Sequence, residues 1–274
     1  MAGCLDGGTR AGPVPPAPGV KFGKIGRQVA VNVASRAALF QSLSARLAAR
    51  EGFALATLNL DHLVKLRCED AFLAAYRRQD LVVADGRPLV WLARLAGVRI
   101  ELLPGSDLVL PLCTLAAEAG HPVALVGSSP AALEGAARAL RAALPDLEIA
   151  LTEAPPMGFD PESAAAADLL ARLERSGAGL CLLALGAPKQ EILAARGRAL
   201  APGVGFAGIG AGLDFLAGQQ RRAPRLVRRL ALEWLWRALS QPRRLGPRYL
   251  RCLMILPGLV AGALHERRRL SGTR

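Results

Sequence analysis

Short apolar runs alternate along this chain with longer helical patterns, and that alternation limits the fold more than any other feature. The runs are Phe53 to Asn59, Leu81 to Ala84, Pro122 to Gly127, Leu147 to Leu151, Leu180 to Gly186 and Val204 to Gly208. Helical spacing covers Asp61 to Arg78, then 106–119, 129–143, 162–176 and 188–200. Apolar runs this short, without polar alternation, suit strands buried on both faces. Strands and helices in turn predict a parallel sheet with helices on both sides. Right-handed crossovers then place every strand's C-terminal end on one edge, where open α/β sheets bind their ligands. The expected fold class is α/β, a Rossmann-like parallel sheet flanked by helices, spanning 25–218.

Charge separates the rest of the chain from this body. Residues 219–274 hold fourteen Arg, no Lys and only Glu233 and Glu266 as acids, a net +12 out of +13 for all 274 residues. The body is therefore close to neutral. Arg225, Arg229, Glu233 and Arg237 fall four apart on one helical face, opposite an apolar stripe of Leu226, Leu230 and Trp234. The segment 219–274 is expected to be a basic amphipathic helical appendage, interrupted near Gly246-Pro247. Arg without Lys favours bidentate contacts to phosphate. Residues 1–24 are rich in Gly, Pro and Ala around no apolar core, so they read as a disordered lead-in rather than a signal peptide. No apolar run reaches the length of a membrane span. Cys252 to Leu264 comes nearest, and suits a buried terminal segment or a shallow membrane contact. The five Cys are scattered without a C-x-x-C pair, which suits reduced thiols in a cytosolic protein. His62, His121 and His265 lie far apart and suggest no zinc site; each reads as an ordinary polar or surface residue.

Polar residues fall where strands should end. Thr57 and Asn59 close one run, and Asp85-Gly86 closes the next. Gly127-Ser-Ser-Pro130, Gly186-Ala-Pro-Lys-Gln-Glu191 and Gly208-Ile-Gly-Ala-Gly212 close three more. Singly these are ordinary turn and capping residues: Ser128 or Ser129 would cap a helix and Pro188 would start one. Together they would line one edge of the sheet. Gly208-x-Gly-x-Gly is not a dinucleotide fingerprint, because Leu213 stands at the third glycine and Arg228-Arg229 where a ribose-binding acid is wanted. There is no P-loop and no D-x-D pair for a divalent metal. Diphosphate charge would have to be met by Arg, Lys and helix N-termini.

Thr57-x-Asn59, Val83-Ala-Asp-Gly86 with Val90-Trp91, Pro104-Gly-Ser-Asp107, Leu185-Gly-Ala-Pro-Lys-Gln-Glu191, Gly208-Ile-Gly-Ala-Gly-Leu-Asp-Phe215 and Arg222-Ala-Pro…Leu232-Glu-Trp…Arg237…Pro242-Arg-Arg…Arg248-Tyr249 occur in that order. In combination they resemble the WecG/TagA/CpsF glycosyltransferases. The resemblance implies an inverting transferase that needs neither metal nor cofactor. It would move an N-acetylmannosamine-type or related sugar from a UDP-sugar to a polyprenyl-diphosphate-linked saccharide. Such enzymes work peripherally on the inner face of the cytoplasmic membrane, in bacterial cell-surface polysaccharide synthesis. On this resemblance Asp85 is the general base. Thr57, Asn59, Gly86, Gly127, Gly186, Lys189 and Gln190 line the substrate pocket. Arg222, Arg237, Arg244 and Arg248 meet the diphosphate and complete the site from the appendage, while Asp107 and Asp214 support loops. Self-association coupled to the appendage is also implied. Two alternatives stand beside it: a non-enzymatic basic module for nucleic acid or anionic membrane, and an NAD-dependent oxidoreductase. The low aromatic content and the failed fingerprint weigh against them.

Overall fold

The computed structural model describes residues 19–24, 26–219 and 242–271, with side chains in the last segment described over 246–269. All six expected strands form, and all lie in one parallel sheet. A short antiparallel hairpin, β1 (Val20–Phe22) with β2 (Val29–Val31), comes first. The chain then runs through α1 (Arg36–Ala48), β3 (Ala54–Leu58), α2 (Leu60–Lys65), α3 (Asp70–Arg77), β4 (Leu81–Ala84), α4 (Arg87–Leu95) and α5 (Gly105–Glu118). It continues through β5 (Val123–Gly127), α6 (Pro130–Ala143), β6 (Ile149–Glu153), α7 (Ala164–Arg175), β7 (Leu180–Ala184), α8 (Lys189–Leu200), β8 (Gly205–Gly208) and α9 (Gly212–Leu216). The final described element is α10 (Pro242–Ser271). Strand order across the sheet is β4-β3-β8-β7-β5-β6.

Side-chain parity explains the three layers. Successive strand residues point to opposite faces. Leu55, Val83, Leu125, Leu182 and Ala207 pack under α1, α5, α6 and α9. Their neighbours Ala56, Val82 and Ala84 face the hairpin, α2, α3, α4 and α10. Further along that second face, Val126, Leu183 and Phe206 pack against α7 and α8. Both faces are covered over β3, β4, β5, β7 and β8, as their unalternating apolar runs require, while the edge strand β6 is only partly buried. Asn32 closes the outer edge of β4. Its Oδ1 accepts from the Val82 amide at 2.7 Å and its Nδ2 donates to the Asp80 carbonyl at 2.9 Å.

Three local expectations change. The helix expected over Asp61 to Arg78 is two helices, because Arg27 Nε donates to the Leu66 carbonyl at 2.8 Å and its NH1 pairs with Asp70. That carbonyl is the acceptor a continuous helix would offer the Asp70 amide. The interruption expected at Gly246-Pro247 is absent, and α10 runs through both Pro247 and Pro257. Tertiary packing supports it, since Cys252, Ile255 and Ala263 are buried with Leu259 beside them against α2, α4 and the hairpin. His62 and His121 are buried rather than superficial; His121 Nε2 bonds the Leu47 carbonyl at 2.9 Å. Residues 1–18 of the expected lead-in lie outside the described residues, while Val20–Phe22 within it is a strand. The amphipathic helix expected around Arg225 to Arg237 also lies outside them.

Candidate active site

Four neighbouring strand ends, those of β4, β3, β8 and β7, bring most of the expected site residues together. Thr57, on β3, is buried, and its hydroxyl donates to the Gly208 carbonyl at the end of β8, at 3.1 Å. A Cβ on Gly208 would come within 3.0 Å of Gln190 Nε2, so the Gln190 amide lies directly against that backbone. Gln190 comes from the first turn of α8, just after β7, and is 1% exposed. Its Nε2 donates to Glu191 Oε1 at 2.9 Å. Gln190 Oε1 and Glu191 Oε2 are buried without a hydrogen-bond partner among the described residues.

Asp85 follows β4. Its amide donates to the Leu58 carbonyl at 2.7 Å, which holds it beside the end of β3. The side chain is half-buried at the sheet edge. Gly86 then turns the chain into α4 with φ +134°, a backbone conformation closed to residues with a Cβ. Asn59 caps α2, its Oδ1 accepting from the His62 amide at 3.0 Å. Gly186 precedes α8 with its carbonyl accepting from the Gln190 amide, and Lys189 is half-buried beside it. Gly127 sits one strand further along, where a Cβ would come within 2.5 Å of the Ala184 carbonyl carbon. Next to it the Ser128 hydroxyl donates to Asp214, which ties α9 to the end of β5, and Ser129 caps α6.

Behind this edge lies a polar cluster that sequence reasoning missed. Glu191 is buried between α2, α3 and α8, and burial pushes its carboxyl up to about 7. His62 Nδ1 sits 4.0 Å from Glu191 Oε1 and 2.8 Å from the Tyr76 hydroxyl. Burial, then the charges of Lys65 and Arg248, lower the His62 imidazole to about 3, so it is neutral. Burial, then Glu191 and Asp85, hold the Tyr76 phenol well above its ordinary range. Gln79 Nε2 donates to the Glu191 carbonyl at 3.0 Å. A lone His and a Tyr on an apolar helix face carry no motif, so nothing in the sequence singled out this pair.

Appendage and core meet at Asp61. Arg248 Nε, on α10, lies 2.9 Å from Asp61 Oδ1, and Lys65 Nζ lies 3.4 Å from Oδ2. Lys65 in turn donates to the Ala187 carbonyl at 2.8 Å, in the loop between β7 and α8. Arg248 is thus held at the rim of the strand ends that carry Asn59 and Gln190. Arg222 and Arg237 lie outside the described residues, as does the side chain of Arg244. Among the described residues no cluster of three or more His, Cys, Asp or Glu could hold a metal ion, and no helix is long and apolar enough to cross a membrane.

A parallel α/β sheet with a carboxylate, a hydroxyl and a buried amide at adjacent strand ends defines a Rossmann-like protein, a class whose ligands bind at that edge. Residues 25–271 match the glycosyl transferase WecG/TagA/CpsF family, and the chain belongs to that family. It is therefore an enzyme, a glycosyltransferase with a sugar donor and an acceptor as substrates, linked to cell-surface polysaccharide synthesis. The nucleic-acid module and the oxidoreductase give way to this assignment.

Proposed function

We propose that this enzyme transfers an N-acetylmannosamine-type or related sugar from a UDP-sugar to a polyprenyl-diphosphate-linked saccharide, with inversion and without a metal ion. The observation that carries the reading is Asp85, half-buried at the end of β4, on the edge that also presents Thr57 and Gln190. Asp85 takes the proton of the acceptor hydroxyl. The hydroxyl oxygen bonds to the anomeric carbon from the face opposite UDP, the bond from that carbon to the UDP oxygen breaks, and UDP leaves with its electron pair. Arg248, with Arg222, Arg237 and Arg244, offsets the charge of the diphosphate. Gly86, Gly127, Gly186, Asn59 and Lys189 shape the pocket wall.

The acceptor's lipid places the reaction at a bilayer, and α10 supports a peripheral position on the inner face of the cytoplasmic membrane. Leu250, Leu253, Met254, Val260 and Leu264 are all exposed, Met254 at 74%. They share the face of α10 opposite the docked Cys252, Ile255 and Ala263. Arg251 and Arg267 to Arg269 are exposed on the same helix. An apolar stripe with Arg around it suits the headgroup boundary of an anionic membrane.

Mass spectrometry of products from a panel of UDP-sugars, with a short-chain polyprenyl-diphosphate-sugar acceptor, tests the substrates. Asp85→Asn is expected to abolish transfer while UDP still protects the fold against heat. Normal turnover by that variant would remove Asp85 as the base, and absence of any sugar product across the panel would overturn the substrate assignment.

A further inference from the structure

The buried Gln190–Glu191 pair has a polarity that the proposed reaction can use. A glutamine amide presents a donor on one side and an acceptor on the other, and only its surroundings decide which way it faces. Here the nitrogen is committed, because Nε2 donates to Glu191 Oε1 at 2.9 Å. The oxygen is left over: Gln190 Oε1 is buried and has no partner among the described residues. The amide cannot drift from this place. Gly208 packs against it so closely that a methyl group there would press on Nε2 and Cδ at 3.0 and 3.3 Å. A buried acceptor left unpaired costs free energy, and such groups in folded proteins normally find a partner.

Glu191 is fixed just as firmly. Its carbonyl is held by Gln79, and its carboxyl lies beside His62 and Tyr76 under the strand ends. Burial and the Lys65 and Arg248 charges keep His62 without a proton, so it supplies no cation that would draw the carboxylate away from Gln190. Burial raises the Glu191 carboxyl to about 7, while the hydrogen bond from Gln190 and the Lys65 charge favour its ionised form; once ionised, the carboxylate can only accept.

We propose that Glu191 is a positioning residue for the transfer: by accepting from Gln190 Nε2 it aims Gln190 Oε1 to accept a hydrogen bond from a substrate hydroxyl or imide N–H. The pair thereby selects substrates that bring a donor to that spot, and it disfavours an analogue bearing only an acceptor or a hydrogen atom there. This inference rests on the transferase reading for its substrate, but the orientation of the amide is a property of the protein alone.

Two measurements on the intact chain separate the inference from that reading. The first is side-chain amide NMR of protein carrying ¹⁵N-glutamine, with the Gln190 signal identified by its loss in Gln190→Ala. One Gln190 amide proton should lie well apart from its geminal partner in the wild type, and that separation should collapse in Glu191→Gln, which can offer either an oxygen or a nitrogen. An unchanged Gln190 signal would overturn the proposal even if the protein were inactive. The second is a double-mutant cycle with the UDP-sugar that the product panel identifies. Gln190→Ala and Glu191→Gln should each raise the same substrate's KM about tenfold, with kcat within about threefold, and the double variant should be no worse than Gln190→Ala alone. Independent, multiplying effects would assign Glu191 a purely structural role and overturn the proposal. If no UDP-sugar is turned over, the transferase reading fails while the NMR comparison still decides the orientation.

Discussion

Glu191 and His62 lie 4.0 Å apart in a dry place, yet they pull stability in opposite directions as pH changes. Glu191 is raised from 4.5 to about 7, so between those values the folded protein keeps a proton the unfolded chain has released. Its contribution to stability is full below about pH 4.5 and is lost as pH rises through about 7. His62 is lowered from 6.5 to about 3, so its contribution is full above about pH 6.5 and is lost as pH falls towards 3. Glu191→Gln removes the first effect alone. In urea unfolding the variant should gain on the order of 3 kcal/mol relative to wild type between pH 4.5 and pH 8. An equal offset at both pH values would show that Glu191 does not titrate as its burial demands. Gly208→Ala probes the same spot from the other side. It should raise KM several-fold by displacing the Gln190 amide, with the fold intact by circular dichroism. None of this was legible in the residue string. Helical spacing puts Lys-Gln-Glu in a first turn, and only the approach of α2 and α3 makes Glu191 an interior residue.

Docking of α10 depends on a few contacts at the scale of the element. Asp61 ties it to α2 through Arg248, and Cys252, Ile255 and Ala263 fill the seam. Burial first of all raises the Cys252 thiol to about 11, so two effects protect it from thiol reagents: shielding and a scarce thiolate. In a Cys4→Ser, Cys68→Ser background, Cys252 should label slowly, and Asp61→Asn should speed the labelling at least several-fold by loosening the helix. Labelling at equal rates would show that the ion pair does not hold α10. The sequence argued for a break at Gly246-Pro247 because each Pro removes one helix hydrogen bond. The packed face offsets that loss, and it comes from α2, α4 and the hairpin, far earlier in the chain. The same reasoning applies to Arg27, which divides α2 from α3 by taking a carbonyl that local spacing had assigned to the helix.

For the whole molecule, the near-neutral body and the +12 of 219–274 make membrane recovery a salt-dependent quantity. The protein should sediment with vesicles containing anionic lipid at low salt. Met254→Glu should weaken that binding about tenfold without changing unfolding, since Met254 is 74% exposed and touches no core. Deletion from Gln219 should remove vesicle binding and transfer together; a fully active truncation that no longer sediments would separate the appendage from the site. Either result bears on how a Rossmann-like body and an Arg-rich tail share one reaction.

Short apolar runs with no polar alternation, set between helical patterns, suit strands covered on both sides, so the sequence by itself pointed to a parallel sheet and to the edge on which Asp85, Thr57, Asn59, Gly186 and Gln190 gather. That information is local, because side-chain period and strand length report burial directly. Tertiary structure alone decided the pairing of Gln190 with Glu191, the burial of His62 with Tyr76, and the seating of α10 on Asp61. Those depend on contacts between segments distant in the chain, and no local pattern encodes which polar group will be left without water.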